Sequence, residues 1–563
     1  MSGGAGQQPQ SCLQLFWGDR ARKRVGEPKP LAGAAVDARG LQAPTTRALR
    51  AKSPVIAFLS RQKIFLIGAS HNIAEHRWFS RNFAFLEMRP KAVLFIRHRN
   101  SGCRKMQENE FPPRGSGIAG RAEGSPSGIW GHPWELGPGW DWASGKILLG
   151  AHGRRLIGIE DDRHVVTIAG SRAGKSSTVL IPNLLRYPGS VIVLDPKGEL
   201  ARATAAQRRR MGHQVFILDP FGETGERSAA HNPIDELGQG RRELIAADAA
   251  QLGDALIIPN NKDPHWTDSA RNLARGTILF LLGTDPARAS LRELRRLLSG
   301  TPPELEALFT AMAGCDAFDG IVHNTGRTFL GKNDRELASI LSTAQEQTAP
   351  LDDVLHVTER SDFRLSDLRS GKLSIYLVLP GMRIGTHYRW LRMVIQQALA
   401  AMERAPVPRG RLPVWFVLEE FPALGHMRSI ETAAGLMAGF GVKLWSVLQD
   451  LTQLQTHYPK SWETFLGNAG VIQAFGNADI TTTEHLSKRL GSAQVIERQD
   501  IRISGSAMAQ GDNGRREHIR SVRLLDANEI TRHFSRETGR QLILVPGKPP
   551  IYLQRLPWEN SHA

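Results

Sequence analysis

From Lys146 onward the chain alternates short apolar runs with longer stretches whose apolar residues recur every three or four positions. "KILLG" and "RRLIGI" predict two short strands, "HVVTIAG" a third, and "GKSSTVLIPNLL" opens a helix. "SVIVLD" and "QVFILD" predict buried strands, each ending at an aspartate. Between about Asn232 and Asp362 the runs give way to helical spacing in "TDSARNLARGTILFLLG", "SLRELRRLLSG", "ELEALFTAMAG" and "NDRELASILSTAQ". Strands return at "KLSIYLVLP", "VWFVLEE", "VKLWSVLQ" and "GVIQAFGN", with the helix "YRWLRMVIQQALAAMER" after the first. Residues 504–517 ("SGSAMAQGDNGRRE") predict a mobile loop, and "GRQLILVPGKPPIYLQRL" closes the chain with strand-like pieces. Strands alternating with helices imply an α/β protein with a mainly parallel sheet, here interrupted by an all-α insertion. The expected organisation is an α/β domain in two parts, 146–231 and 363–563, around an insertion at 232–362. Segments 1–105 and 106–145 precede it.

Charge changes the picture at one end only. The 563 residues hold 72 Lys and Arg against 55 Asp and Glu, a formal +17. Residues 1–105 contain 19 of the bases and 5 of the acids, or +14, so the rest is nearly neutral. Bulk charge is therefore no argument for nucleic acid. Two readings of 1–105 stand side by side: a disordered basic tail, or sequence upstream of a true start at Met106. Its apolar runs "PVIAFL" and "IFLIGA" are too short to span a bilayer and are separated by Arg61 and Lys63. The first residues carry no signal-peptide pattern. Segment 106–145 is rich in Gly, Pro and Trp; its four tryptophans at 130–142 are expected to pack a loop onto the core rather than to stack bases. Three well-separated cysteines exclude a disulfide scaffold or zinc ribbon and fit a reducing cytoplasm.

The chemistry concentrates in "VVTIAGSRAGKSSTVLIPNLL". Ala169, Gly170, Ser171, Arg172, Ala173, Gly174, Lys175, Ser176 and Ser177 follow the phosphate-binding pattern G-x-x-x-x-G-K-[ST], except that Ala169 replaces the first glycine. In such a loop backbone N–H groups surround the phosphates, lysine reaches the β- and γ-phosphates, and the hydroxyl binds Mg²⁺. A strand before and a helix after place the phosphates at a helix N-terminus. ATP and Mg²⁺ are the expected ligands. Hydrolysis needs an acid, and three strand ends compete: Asp195, Asp219 and the pair Glu419-Glu420. The pair is the most telling, because one carboxylate can orient Mg²⁺ (Glu419, with Ser176) while its neighbour polarises the attacking water (Glu420). Spacing alone leaves Asp195 open as a metal ligand. Gln449, at the end of "LWSVLQ", is a candidate sensor of the γ-phosphate.

Several stretches taken together resemble one family. "AGKSSTVLIPNLLRYPGSVIVLDPKGEL", "HNPID", "DPHWTDSARNL", "VWFVLEEFPALG", "GFGVKLWSVLQDLTQL" and "LVPGKPPI" occur in the order and spacing of the type IV secretion coupling proteins, the TraG/TraD-type conjugative DNA-transfer ATPases. The resemblance covers about residues 140–558. It implies a RecA-like P-loop NTPase related to the FtsK/HerA translocases, and a homo-hexameric ring at the cytoplasmic face of the bacterial inner membrane. The implied partners are a relaxase with its attached single-stranded DNA and the components of the secretion channel. Lys175, Glu420 and Gln449 then match the catalytic lysine, base and sensor, and Ser176 and Glu419 the Mg²⁺ ligands. Asp195, Lys197 and Glu199 match a hallmark of unassigned role. Three departures stand out. The acid pair is usually Asp-Glu; some relatives carry a neighbour-reaching arginine where this chain has Ala438; and the usual membrane helices are absent, so membrane attachment would be indirect or peripheral. The resemblance implies an ATP-dependent coupling protein. The alternative, from another class, is an ATP-binding docking adaptor with little motor activity; a chromosomal DNA pump fits the hallmark stretches less well.

Overall fold

The computed structural model describes residues 56–60, 63–67 and 130–560, apart from 239, 260–263, 371, 409 and 501–514. Two compact units result. In the unit Arg22–Phe111 the described part is one antiparallel hairpin, β1 (Ile56–Ser60) and β2 (Lys63–Ile67), with Ile56 opposite Ile67. Residues 56–60 and 63–67, which overlap the two short apolar runs of the basic segment, are thus strands; its other residues, on which the disordered-tail reading falls, lie outside those described.

The larger unit contains an eleven-stranded sheet. Its strands in chain order are β3 (Ile147–His152), β4 (Arg155–Ile159), β5 (His164–Ala169), β6 (Val191–Asp195), β7 (Gln214–Leu218) and β8 (Leu373–Val378). Then come β9 (Val414–Leu418), β10 (Val442–Leu448) and β11 (Ala469–Phe475), a separate two-stranded ribbon β12 (Ser492–Asp500) and β13 (Arg515–Arg523), and β14 (Arg540–Leu544) and β15 (Ile551–Gln554). The order across the sheet is β4-β3-β15-β14-β11-β5-β10-β9-β6-β8-β7. From β11 to β7 every pairing is parallel, and β14, β15, β3 and β4 extend that core antiparallel.

The core strands read as unbroken apolar runs because helices cover both faces. Alternation sorts their side chains between two cores. Val166, Ile168, Ile192, Leu194, Phe416 and Leu418 join one cluster; Val165, Ala169, Val191, Val193, Trp415 and Val417 join the other. The first cluster runs on without a break into the helices between β7 and β8, through residues such as Leu252, Ala274 and Ile278, and into the helix Gly381–Arg404. All regular elements described between β7 and β8 are helical. The second cluster holds the helix after β5 and the helix Glu199–Arg210.

The ribbon β12–β13 corrects the sequence reading. Residues 504–517 are expected to be one mobile loop, but 515–517 belong to β13, while 504–514 lie outside the described residues. The strands were hidden because their alternation is polar on both sides, which carries no burial signal. Three of the four tryptophans pack onto the unit. Trp130 sits edge-on to Tyr552 at 5.5 Å, Trp140 lies on the second core cluster, and Trp142 lies close over Gly158, where a Cβ would come within 2.8 Å of it. Trp134 is 52% exposed and stacks on His132.

Candidate nucleotide site

The loop after β5 shows why Ala169 is tolerated. Position 169 is still strand, paired with Phe475 of β11, fully buried, and absent from the residues with positive φ. Nothing there needs glycine. The glycines that matter come next. At Gly170 a Cβ would fall 2.0 Å from the Gly476 carbonyl oxygen, because the loop runs against the turn after β11. Gly174 has φ +90°, which L side chains avoid. Ser171 and Arg172 are exposed, Arg172 with φ 58°, and Ala173 is buried. The Gly174 carbonyl accepts from Thr178 N at 2.8 Å, Thr178 Oγ1 at 2.7 Å and Ser177 Oγ at 3.4 Å, closing the loop into a helix.

That helix starts as a π-helical turn, Ser176–Leu180, and continues as Ile181–Leu184. Pro182 has no N–H to offer the carbonyl four residues back, and Ile181 N instead bonds Ser176 O. The buried Asn183 pairs with β3 like a strand: Leu148 N donates to its Oδ1 at 2.8 Å and its Nδ2 donates to Leu148 O at 2.9 Å. The "PNLL" stretch thus clamps the helix to the sheet.

The candidate acids Glu419 and Glu420 follow directly on β9, one strand removed from β5, with β10 between them. Three strand ends therefore deliver one cluster. Ser176 Oγ donates to Glu419 Oε1 at 2.5 Å. Lys175 Nζ lies 3.3 Å from Glu420 Oε2, and Gln449 Nε2 donates to Glu420 Oε1 at 2.7 Å. Both oxygens of Glu420 are thus taken, one by each partner. Glu420 has φ 58°, an unusual conformation for a non-glycine residue. It turns the chain at the tip of β9, where the buried Phe421 anchors it by stacking on Tyr458. Burial, reinforced by the Asp195 charge, pushes the Glu419 carboxyl up to about 7 against the opposing Ser176 hydrogen bond and Lys175 charge.

The other two acids have structural partners. Asp219 closes the turn after the edge strand β7, accepting from Glu223 N, Thr224 N and Thr224 Oγ1 at 2.7–3.0 Å. Four strands, β10, β9, β6 and β8, separate it from β5. Asp195 Oδ2 accepts from Ala201 N at 2.8 Å and so ties down the start of the helix Glu199–Arg210, whose entry turn needs Gly198 at φ 65°. Its Oδ1 is buried without a hydrogen-bond partner, and burial pushes the carboxyl up to about 6. Lys197 and Glu199 are exposed beside it.

Two parts of the site had no signal in the sequence. Gly476-Asn477 backs the loop, with Asn477 Nδ2 donating to Gln449 O at 3.1 Å. Arg555, just past β15, donates Nη1 to Ala173 O inside the loop. Both lie hundreds of residues from the motif, and only the sheet order brings them there.

Among the described residues no group of three or more His, Cys, Asp or Glu forms a metal cage. Ser176 and Glu419 are oxygen donors, the kind Mg²⁺ takes alongside substrate phosphates and water. The raised Glu419 carboxyl and the unpartnered Asp195 oxygen mark a buried acidic spot that a cation would neutralise.

Residues 106–560 match the family described as type IV secretory system conjugative DNA transfer. The conjugal transfer protein TraG of Escherichia coli is 28% identical over 69% of this chain and 66% of its own length. Protein VirD4 of Agrobacterium fabrum is 29% identical over 70% of this chain and 58% of its own length. The chain thus spans somewhat less than two thirds of these relatives. Among solved structures, the bacterial conjugative coupling protein TrwBdeltaN70 in complex with sulphate superposes with TM-score 0.56 at 16% identity, over 78% of this chain and 99% of that one. The plasmid coupling protein TrwB in complex with a non-hydrolysable ATP analogue gives TM-score 0.56 at 17% identity, over 78% and 97%. The fold is that of a RecA-like P-loop NTPase with a mainly parallel sheet and helical insertions, and the chain belongs to the type IV secretory system conjugative DNA transfer family.

Proposed function

We propose that this protein hydrolyses ATP to deliver a relaxase with its attached single-stranded DNA into a type IV secretion channel. On this reading it works as a homo-hexamer, associated peripherally or through partners with the inner face of the inner membrane. The observation that carries the enzymatic part is the Glu420 carboxylate held between Lys175 and Gln449 at the tips of three adjacent strands. Solved TrwB structures contain ADP with Mg²⁺ and an ATP analogue, which supports the same ligands here.

Lys175 pairs with Glu420 until ATP arrives, then exchanges the carboxylate for the β- and γ-phosphates. Glu420 stays oriented through Gln449, with Oε2 released to polarise the attacking water. Gln449 is bonded to the base and, through its backbone carbonyl, to Asn477 behind the loop, so a change at the γ-phosphate reaches the end of β11. Ser176 and Glu419 would hold Mg²⁺, whose chemistry is to offset charge on the phosphate oxygens. The extra methylene of Glu419 relative to aspartate lets it reach the Ser176 hydroxyl directly.

The helical stretch 232–362 is proposed as the part that discriminates cargo. It carries none of the nucleotide-site residues, yet it shares one core with the sheet, so it can follow movements of β6 and β9. The test is ATP turnover by the full chain with no DNA, with single-stranded DNA, and with a relaxase-linked strand. Stimulation by the linked strand is expected. Tight ATP binding without turnover under all three conditions would favour the docking adaptor.

A further inference from the structure

Arg555 has no part in the chemistry above, yet it is the side chain that reaches the phosphate-binding loop from the far end of the chain. It is 8% exposed. Its Nη1 donates to Ala173 O and its Nη2 to Arg536 O at 2.7 Å, and its guanidinium lies 4.6 Å from the centre of the Phe475 ring. Burying a cation costs free energy unless it finds partners; two backbone carbonyls take Nη1 and Nη2 and an aromatic face lies against the group, while Nε is buried without a hydrogen-bond partner.

The consequence follows from peptide geometry. The Ala173–Gly174 bond is trans and planar, so the Ala173 carbonyl and the Gly174 N–H point in opposite directions. With the carbonyl turned toward Arg555, the Gly174 N–H is turned away from it. Loops of this kind bind phosphates through inward backbone N–H groups. The start of the loop is fixed separately, by Gly170 N donating to Phe475 O at 3.3 Å. Gly476 N donates to Phe534 O at 2.7 Å and Arg555 N to Gly539 O at 2.7 Å, so the segment 534–539 braces both anchors.

We infer that Arg555 is a positioning residue for the nucleotide phosphates: it locks the Ala173–Gly174 peptide with the Gly174 N–H aimed at them. This rests on the reading of the loop as an ATP site. Lysine at this position keeps the charge but not the fork that spans two carbonyls.

The experiment measures affinity for ATP, ADP and adenosine, and the melting temperature without nucleotide, in wild-type full chain, Arg555→Ala, Arg555→Lys and Lys175→Ala. Arg555→Ala should weaken ATP and ADP roughly tenfold, the scale of one hydrogen bond, and leave adenosine unchanged. Millimolar methylguanidinium should restore part of the ATP affinity to Arg555→Ala, and Arg555→Lys should fall in between. Equal loss for adenosine and ATP, or no rescue, would show a merely structural arginine and overturn the inference. If Arg555→Ala does not fold, Arg555→Lys decides, and wild-type ATP affinity there overturns it. Failure of the wild type to bind ATP, or undiminished binding by Lys175→Ala, overturns the site reading itself and the inference with it.

Discussion

Restoring the missing glycine of the phosphate-binding pattern should do harm rather than good. Ala169 ends β5, is fully buried and pairs with Phe475. Ala169→Gly loosens a strand residue, at about 0.5–1 kcal/mol, and removes a buried methyl, at about 0.8 kcal/mol. The expected loss is about 1–2 kcal/mol, which in a chain of this size lowers the melting temperature by only about 1–2 °C. ATP turnover should stay within about twofold of wild type, since no phosphate contact needs glycine there. The paired variant, Gly170→Ala, behaves oppositely. Its new Cβ would lie 2.0 Å from the Gly476 carbonyl oxygen, a backbone atom, so the loop or the turn after β11 must move by more than an ångström. A displacement of about 1 Å at a catalytic site costs about a hundredfold in kcat/KM. Thermal melts and steady-state ATPase on the two variants form the assay. A several-fold gain in kcat/KM for Ala169→Gly, or wild-type kcat/KM for Gly170→Ala, would refute this account of the loop.

Three further outcomes are expected. His164 is buried on β5, takes Leu444 N–H at Nδ1 and contacts Ala433 O through Nε2, and burial holds its pKa down to about 4. A depressed pKa means its contribution, at most about 3 kcal/mol, is complete above pH 6.5 and lost as pH falls toward 4; the stability difference between wild type and His164→Asn should shrink over that window, and a flat difference contradicts it. Asn183→Ala strips both Leu148 backbone groups of their partner and should cost about 2–4 kcal/mol in denaturant unfolding, as two buried groups go unsatisfied. Exchanging 232–362 for the corresponding helices of a relative should change which relaxase is accepted while basal ATPase persists; unchanged cargo choice would count against that assignment.

The parallel strands were legible because burial on both faces leaves continuous apolar runs such as "VIVLD" and "VWFVL". Lys175 and Ser176 were legible as a motif, and Glu419-Glu420 and Gln449 as polar residues at the ends of such runs. Their convergence was legible only through the family resemblance and not from the local pattern, because it depends on β10 inserting between β5 and β9, an order that pairs strands hundreds of residues apart. The same dependence hid Arg555 and Gly476-Asn477. Asp195 and Asp219 compete with the Glu419-Glu420 pair in sequence, since a carboxylate capping a turn after a strand has the same local pattern. The β12–β13 ribbon was missed because its sequence, "SAQVIERQD" and "RREHIRSVR", carries no regular apolar alternation.

The central claim is that Glu420 performs chemistry while Lys175 holds the phosphates. Single-turnover hydrolysis, with ATP binding measured on the same samples, separates the two. Glu420→Gln keeps a side chain of the same shape beside Lys175 and Gln449, and should bind ATP near wild-type affinity while hydrolysing it about 10²–10⁴-fold more slowly. Lys175→Ala should lose both binding and hydrolysis. Hydrolysis by Glu420→Gln at the wild-type rate would contradict the account.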